Sequence, residues 1–295
     1  MPPKPRFVYS PRYVIDIGEH VFATRKFGLV AEELEKFAQR VEPAMPSKAD
    51  LLLAHDAAWV DKVLSGKMSL DDETRMELPF SPTISRAHQL SVSGTILACR
   101  HALETGTGLH AGGGSHHAYA DHGEGFCVLN DIACGILKMR SEGRIKRAAV
   151  IDLDVHQGNG TAAIFAGDPS VFTFSMHQDD IYPEKKEKSS LDVGLKAGTQ
   201  DKEYLRVLEE NIDKVFAHKV DLVIYQAGVD SYEDDVLGGL KLSVKGLARR
   251  DALVFEACRA RSVPAVVVLG GGYAHSIKET VMLHAQTLRT FAEIS

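Results

Sequence analysis

The chain has 295 residues, of which 44% are hydrophobic and 25% charged, and its formal net charge is −6. This composition is typical of a globular protein, and the mildly acidic balance argues against nucleic acid or an anionic membrane as partner. The four cysteines show no Cys-x-x-Cys spacing, which predicts reduced thiols in a cytoplasmic protein rather than a disulfide framework. The N-terminus lacks an apolar signal region and no run reaches transmembrane length, so no membrane association is expected.

Apolar runs and helical periodicities alternate along the chain. The runs predicted as strands are residues 7–9, 51–55, 109–114, 148–156, 171–176, 221–226 and 264–269. The segments predicted as helices are residues 27–41, 91–103, 130–139, 201–216, 243–261 and 280–291. This alternation predicts an α/β fold with a central, mainly parallel sheet flanked by helices on both faces. No linker, repeat or low-complexity tract interrupts it, so one domain over residues 1–295 is expected.

One predicted strand carries an unusual polar face. Side chains alternate along a strand, so Asp152, Asp154 and His156 are predicted to share one face, while the apolar residues between them point the other way. Two buried carboxylates and an imidazole require neutralisation, and a divalent cation is the simplest neutraliser. This pattern therefore predicts a metal site near the carboxyl end of the strand, where open α/β sheets bind ligands.

Three further strands also run into glycine and polar residues. They lead into the segments Gly112-Gly113-Gly114-Ser115-His116-His117, Gly228-Val229-Asp230 and Gly270-Gly271-Gly272-Tyr273. In a parallel sheet these ends lie at one edge, so the segments are predicted to converge. Asp154, His156 and Asp230 would then form a three-ligand site of the kind that holds catalytic zinc, and the oxygen-rich set would also accept Fe²⁺ or Co²⁺.

The remaining polar residues suggest proton transfer and carbonyl activation. One imidazole of the His116-His117 pair can accept a proton from water while the other stabilises charge, and Asp152 can orient one of them. The hydroxyl of Tyr273 can donate to an oxyanion. This set predicts hydrolysis of a carbonyl compound, most simply an amide. Apolar walls for a substrate arm are expected at Gly125-Phe126 and Tyr182-Pro183.

Several motifs together resemble the zinc-dependent histone deacetylase superfamily, in the same order. They are His116-His117, the stretch from Gly125 to Asp131, Asp152-Leu153-Asp154-Val155-His156, Ala227-Gly228-Val229-Asp230 and Gly270-Gly271-Gly272-Tyr273. Tyr9-Ser10-Pro11-Arg12-Tyr13, His156-Gln157-Gly158-Asn159-Gly160 and the stretch from Asp235 to Leu240 resemble the class IV branch in particular. The resemblance extends from about Phe7 to near the C-terminus, and the combined motif set is highly specific.

The resemblance implies the arginase/deacetylase fold and an activity that removes acetyl or longer acyl groups from lysine side chains of proteins or peptides. It implies that His117 is the general base and acid, and that His116 is its electrostatic partner, backed by Asp152. It further implies that Tyr273 polarises the scissile carbonyl. The implied substrate tunnel has walls at Phe126 and Tyr182, Leu237 nearby, and the Gly125 carbonyl as acceptor of the substrate amide proton.

The resemblance also implies a structural K⁺ beside the zinc. Its implied ligands are the side chains of Asp152 and Ser175 and the carbonyl groups of Asp154, His156 and Met176. One position departs from class I members, which have an aspartate where this chain has Asn159. A neutral amide stabilises an imidazolium less than a carboxylate does, so the pKa of His117 is expected to be lower here. Class IV members share the asparagine.

Three alternatives remain at this stage. A binuclear manganese ureohydrolase shares the fold, but its additional carboxylates would have to stand at Gly158 and Tyr232. A metal-stabilised module that binds acyl-lysine without cleaving it is disfavoured by the full set of His117, Tyr273 and metal ligands. A deacetylase of small acylated amines is the third. The natural substrate, the acyl chain length, regulatory partners and the oligomeric state do not follow from the sequence.

Overall fold

The computed structural model describes residues 4–292, so the ends of the predicted domain, residues 1–3 and 293–295, lie outside the described part. The strands are β1 (Arg6–Val8), β2 (Gln39–Val41), β3 (Thr107–His110), β4 (Ala148–Asp152), β5 (Val171–Gln178), β6 (Leu191–Leu195), β7 (Leu222–Gln226) and β8 (Ala265–Val268). The helices are α1 (Arg25–Glu35), α2 (Lys48–Leu51), α3 (Ala57–Ser65), α4 (Leu70–Met76), α5 (Pro82–Thr105), α6 (Asp131–Ser141), α7 (Asn159–Ile164), α8 (Asp201–Phe216), α9 (Val244–Ala260) and α10 (Ile277–Ala292).

The eight strands of the described part form one sheet in the order β2-β1-β3-β8-β7-β4-β5-β6. Every pairing between neighbouring strands is parallel. The carboxyl ends of β3, β4, β7 and β8 therefore lie at the same edge, and these strands are consecutive neighbours in the sheet. The predicted α/β fold with a parallel central sheet is confirmed.

Alternation along the strands divides the hydrophobic core into two layers. In β4, Ala149 and Ile151 pack in the layer that contains residues of α1, α8, α9 and α10. Ala148 and Val150 pack in the opposite layer, with residues of α3, α5 and α6. Helices therefore cover both faces of the sheet, as the apolar strands predict. Within residues 4–292, no helix combines the length and apolar character that a bilayer span needs.

The strand predicted over residues 51–55 is wrong. Ser47 and Asp50 form a reciprocal capping box that starts the short helix α2 at Lys48. The run then turns, with Leu51 buried and Leu52 exposed. Buried positions fall at 51, 54 and 55, which is helical rather than alternating spacing.

The helix predicted over residues 27–41 is too long. It ends at Glu35, and residues 39–41 form the edge strand β2, which pairs with β1. Conversely, the helix predicted over residues 91–103 begins nine residues earlier, where Ser81 caps it and Pro82 occupies its first turn. The elements α3, α4, α7 and β6 have no counterpart in the sequence prediction.

The strand that carries the polar face ends earlier than predicted. β4 ends at Asp152, and Asp154 and His156 lie in the bend that follows. Asp152 Oδ1 accepts a hydrogen bond from the Asp154 backbone N–H at 3.2 Å, and Asp154 Oδ1 accepts one from the His156 N–H at 3.0 Å. Aspartate side chains thus take up the backbone donors two residues on, which turns the chain out of the ladder. Asp152 therefore extends from the last position of the strand, whereas Asp154 and His156 extend from the turn, so the three side chains do not share one strand face.

Candidate metal and catalytic site

The carboxyl ends of β4 and β7 bring three potential metal ligands together. Asp154, His156 and Asp230 are buried, and one ligand atom from each lies within 4.8 Å of the others. The two strands are neighbours with Asp152 opposite Gln226, so the segments that follow them emerge side by side. The distances are those of a site for a single cation.

The hydrogen bonds around the two carboxylates leave one oxygen atom for a cation. Asp154 Oδ2 accepts from the Gly271 N–H at 2.8 Å, and Asp230 Oδ1 accepts from the Val155 N–H at 2.8 Å. Asp230 Oδ2 is buried and has no hydrogen-bond partner among the described residues. A buried carboxylate oxygen without a donor is costly, and a bound divalent cation would satisfy it. The residues present therefore fit the metal that the site predicts.

The raised pKa values of Asp230 and His156 show that the site favours positive charge. Burial and the negative charge of Asp154 raise the pKa of Asp230 to about 7. Burial alone would lower the pKa of His156, but the carboxylates of Asp154 and Asp230 outweigh it and raise that pKa to about 10. Without a cation, the site compensates its two carboxylates by taking up protons.

The histidine pair lies beside the three ligands, with its rings 4.0 Å apart between centroids. His116 Nδ1 lies 2.8 Å from Asp152 Oδ2, and His117 Nδ1 lies 2.6 Å from Asn159 Oδ1. Burial would lower the pKa of His116, but Asp152 and Asp154 outweigh it and raise that pKa to about 9. Burial and the positive charge of His116 hold the pKa of His117 well below its ordinary value. In the absence of a metal ion, these surroundings therefore favour the charged form of His116 and the neutral form of His117.

The loop that carries Tyr273 is held from two sides. The Lys26 ammonium group donates to the carbonyl oxygen of Gly270 at 3.0 Å. Asp235 Oδ2 accepts from the Tyr273 backbone N–H at 2.6 Å. Burial, and then the charges of Asp230 and Asp154, raise the pKa of Tyr273 well above its ordinary value. Its hydroxyl group therefore remains protonated and able to donate a hydrogen bond.

The predicted tunnel residues line one cavity of about 240 Å³ together with both histidines, Asp154, His156 and Tyr273. The ring of Tyr182 packs edge-on against His117 at 5.0 Å, and that of Phe126 packs against Tyr273 at 6.1 Å. Gly125 and Leu237 also line the cavity. The structure therefore brings Gly125, Phe126, Tyr182 and Leu237 together around the catalytic candidates.

The potassium ligands implied by the resemblance lie on β4, on β5 and in the bend after β4. Asp152 and Ser175 are opposite each other in the register of the parallel pair, and both are buried, as is Met176. The Ser175 hydroxyl group lies 2.9 Å from His177 Nδ1. The register thus places the two implied side-chain ligands next to each other on neighbouring strands.

The position at which a second metal would need a carboxylate has no room for one. A Cβ atom at Gly158 would overlap Asp152 Oδ2 and lie 3.2 Å from His116 Nδ1. A longer side chain there would press against Asp152 and His116. This packing argues against the two-metal arrangement of a ureohydrolase.

Comparison with known proteins assigns the family. The family model described as Histone deacetylase domain matches residues 20–288. The chain belongs to the histone deacetylase family. This confirms the predicted relationship, and membership supports a hydrolase of the deacetylase type. These matches do not separate the class IV branch from the others, so that assignment stays a prediction.

Individual relatives agree with this assignment. An uncharacterized protein of Picosynechococcus is 40% identical over 294 residues, covering 97% of this chain and 98% of that protein. Histone deacetylase 2 of Arabidopsis thaliana is 34% identical, with coverages of 92% and 76%. A probable deacetylase of Methanothermobacter thermautotrophicus is 30% identical, with coverages of 90% and 85%. The crystal structure of the HDA15 HD domain matches with a TM-score of 0.80 at 20% identity, covering 99% of this chain and 89% of that one, which shows the fold.

Three residues that surround the candidate catalytic residues were not predicted from the sequence. Lys26 supports the tyrosine loop, Glu124 binds Asn159, and Arg250 donates to the carbonyl oxygen of Gly228 at 2.6 Å. Lys26 had a detectable signal, because it shares the buried face of α1 with residues at spacings of four and eight. Glu124 and Arg250 stand in segments with ordinary surface charge patterns, so no local signal marked them.

Proposed function

We propose that the chain is a zinc-dependent deacylase that hydrolyses the amide of acyl-lysine in proteins or peptides. The observation that carries this proposal is that Asp154 and His156 line one cavity together with His117 and Tyr273, while a ligand atom of Asp230 lies within 4.8 Å of theirs. Family membership supports the deacetylase part. We also propose that residues 1–295 form one catalytic domain.

Asp154, His156 and Asp230 would hold the metal. When bound, zinc would lower the pKa of a water molecule and polarise the substrate carbonyl group. Asp230 Oδ2 supports this assignment, because it accepts no hydrogen bond among the described residues and lies 3.3 Å from Nδ1 of His156, another candidate ligand. A structural K⁺ at Asp152, Ser175 and Met176 belongs to the same proposal, supported by the adjacent register of the first two residues.

His117 would act as the general base. Its Nδ1 is engaged by Asn159, so Nε2 is the atom left to take a proton from the attacking water. His116, charged and bound to Asp152, would stabilise negative charge as the tetrahedral intermediate forms. His117 would then return its proton to the departing lysine nitrogen.

Tyr273 would donate a hydrogen bond to the oxygen of the scissile carbonyl as negative charge develops there. The adjoining backbone supports this role, because Lys26 and Asp235 fix the loop on either side of the ring. The Gly125 carbonyl would accept the substrate amide proton, and the rings of Phe126 and Tyr182 would enclose the lysine methylene groups. Leu237 would complete the wall.

The lining of the cavity supports the proposal that acyl groups longer than acetyl are also removed. An aromatic row continues from Phe126 through Phe22 and Phe27 to Tyr13, with successive centroids 5.7, 6.0 and 6.4 Å apart. All four rings line the cavity. An aliphatic chain would lose water against these rings and gain about 0.8 kcal/mol per buried methylene group.

The test uses purified zinc-loaded protein and an acetyl-lysine peptide, with deacetylated peptide and released acetate as readout. We expect His117→Ala and Tyr273→Phe each to lower kcat by about 100-fold or more. Metal content and circular dichroism should stay at the wild-type level in both variants. Unchanged turnover in both would disprove the mechanism.

A substrate panel would separate the related activities. It would vary the acyl chain from two to twelve or more carbons, by about two carbons per step, and include small acetylated amines. The proposal expects the highest kcat/KM on acyl-lysine peptides. A clear preference for free acetylated amines would replace the protein substrate with a small one, and tight binding without turnover would indicate a non-catalytic module.

A further inference from the structure

The carboxylate of Glu124 contacts Asn159, which in turn contacts the candidate base His117. Glu124 Oε1 accepts from Asn159 Nδ2 at 2.7 Å and from the Tyr182 hydroxyl group at 2.8 Å. Its other oxygen lies 3.6 Å from His122 Nε2. The Glu124 side chain is 20% exposed, so its carboxylate is solvated mainly by these protein partners and less by water.

This contact determines how the Asn159 amide is oriented. A carboxylate only accepts hydrogen bonds, so the amide nitrogen of Asn159 must face Glu124 and its oxygen must face His117. That oxygen lies 2.6 Å from His117 Nδ1, which must therefore carry the hydrogen. The lone pair is left on Nε2, the atom that a general base at this position needs.

Glu124 also has the charge state that this role requires. Burial would raise its pKa, but hydrogen bonds from His122, Tyr182 and Asn159 outweigh burial and lower it. The carboxylate is therefore ionised at neutral pH, and it stays an acceptor while Asn159 remains a neutral connector between two side chains.

We propose that Glu124 is a positioning residue that sets the tautomer of His117 through Asn159 and holds Tyr182 against the same ring. The role in catalysis rests on the proposed deacylase function. Asn159 stands where class I members have an aspartate beside this histidine. Here the carboxylate is instead that of Glu124, which acts on His117 through Asn159. The ring of Tyr182 meets that of His117 edge-on at 5.0 Å, so one carboxylate fixes two sides of the imidazole.

The first experiment compares Glu124→Leu with Glu187→Leu in the zinc-loaded protein. Glu187 is a matched control, because its side chain is 26% exposed and reaches Asn159 only indirectly, through a 3.4 Å contact with Tyr119, whose hydroxyl group accepts from Asn159 Nδ2 at 3.1 Å. We expect Glu124→Leu to lower kcat at least about tenfold and Glu187→Leu to leave it unchanged. Equal effects of the two variants would overturn the proposal.

A direct readout of the tautomer needs no turnover. In protein labelled with ¹⁵N-histidine, the ring nitrogens of His117 report which atom carries the hydrogen, and the spectrum of His117→Asn assigns the signals. We expect wild-type and Glu187→Leu protein to show Nδ1–H, and Glu124→Leu to show a mixture of tautomers. An unchanged tautomer in Glu124→Leu would refute the proposal, even if the substrate class were wrong.

Rescue separates positioning from general damage to the fold. Asn159→Asp would place two carboxylates side by side, so we expect this variant to lose activity. Removing Glu124 as well relieves the repulsion and lets an aspartate at position 159 accept directly from His117. The double variant Asn159→Asp/Glu124→Leu should therefore exceed both single variants in kcat. A double variant at or below the weaker single variant would contradict the proposal.

Discussion

The Nζ atom of Lys26 lies 5.1 Å from the centre of the Tyr273 ring. The same ammonium group donates to the carbonyl oxygens of Gly270 and Gly272 at 3.0 and 3.4 Å. Burial lowers the pKa of Lys26 to about 8, against the opposing effect of nearby carboxylates. A buried cation therefore supports both the backbone and the ring of the tyrosine loop.

Removing this cation should impair catalysis more than metal binding. In Lys26→Met the two carbonyl groups lose their donor and the Tyr273 loop loses its support, so we expect kcat to fall roughly 100-fold. Lys26 makes no hydrogen bond with the candidate metal ligands, so metal content should stay near one per chain. Lys36→Met is the control, since Lys36 is exposed and pairs with Glu33. Equal kcat in the two variants would argue against support by Lys26.

Metal removal gives a second prediction. We expect elemental analysis to find one zinc per chain, activity to disappear with a chelator, and activity to return with Zn²⁺. The backbone of Gly271 lies against both carboxylates, and a Cβ atom there would overlap Asp230 Oδ2. Gly271→Ala should therefore lose most of its zinc while remaining folded by circular dichroism. Two Mn²⁺ per chain in the wild-type protein would instead indicate a ureohydrolase-like site.

A buried ion pair beneath the site should dominate local stability. Arg250 and Asp251 are both fully buried and pair at 2.9 Å, and Arg250 also donates to the carbonyl oxygen of Gly228. Arg250→Leu leaves Asp251 buried without its cation, so we expect the free energy of unfolding to fall by about 3–5 kcal/mol. The neighbouring Arg249→Leu removes exposed pairs with Glu256 and Glu209 and should cost less than about 1 kcal/mol.

Fluorescence of Trp59, the one tryptophan in the sequence, would follow this unfolding, because the ring is buried and its indole N–H donates to Val128. A loss of under about 1 kcal/mol in Arg250→Leu would contradict the expected cost of a single buried charge.

Stability should also depend on pH through His110. Burial lowers the pKa of His110 from an ordinary value of 6.5 to about 3. The unfolded chain therefore binds a proton that the folded chain refuses, and the free energy of unfolding falls as the pH drops from about 6.5 toward 3. One such histidine contributes a slope of about 1.4 kcal/mol per pH unit within that window.

Urea denaturation of metal-free protein between pH 5 and 8 would test this slope. Tyr13 and Thr95 contact the two ring nitrogens of His110 at 2.9 and 3.0 Å, so His110→Gln will cost stability at every pH. The variant should nevertheless show a smaller dependence of the free energy of unfolding on pH below about pH 6.5, corresponding to the uptake of up to about one proton fewer on unfolding. An identical slope in wild-type and variant protein would show that His110 does not titrate on unfolding.

Much of the architecture followed from local patterns. The helix at Asp201–Phe216 has the predicted bounds, because a strong amphipathic pattern and a polar first turn mark it unambiguously. The strand at residues 51–55 was mistaken because a five-residue apolar run does not distinguish a strand from a helical turn. The end of β4 was also placed too late, since the side-chain hydrogen bonds of Asp152 and Asp154 decide it.

The sequence by itself determined the parallel α/β fold and the family, because periodicity and strand-end motifs are properties of neighbouring residues. It also suggested candidate metal ligands, a histidine pair and a tyrosine, which the structure brings close together at the carboxyl ends of neighbouring strands. Only the tertiary structure decided which group each buried charge meets. Lys26 reaches a loop 244 residues away, and Glu124 meets an amide 35 residues away. Such partners depend on how distant elements pack, and no local preference of the chain encodes them.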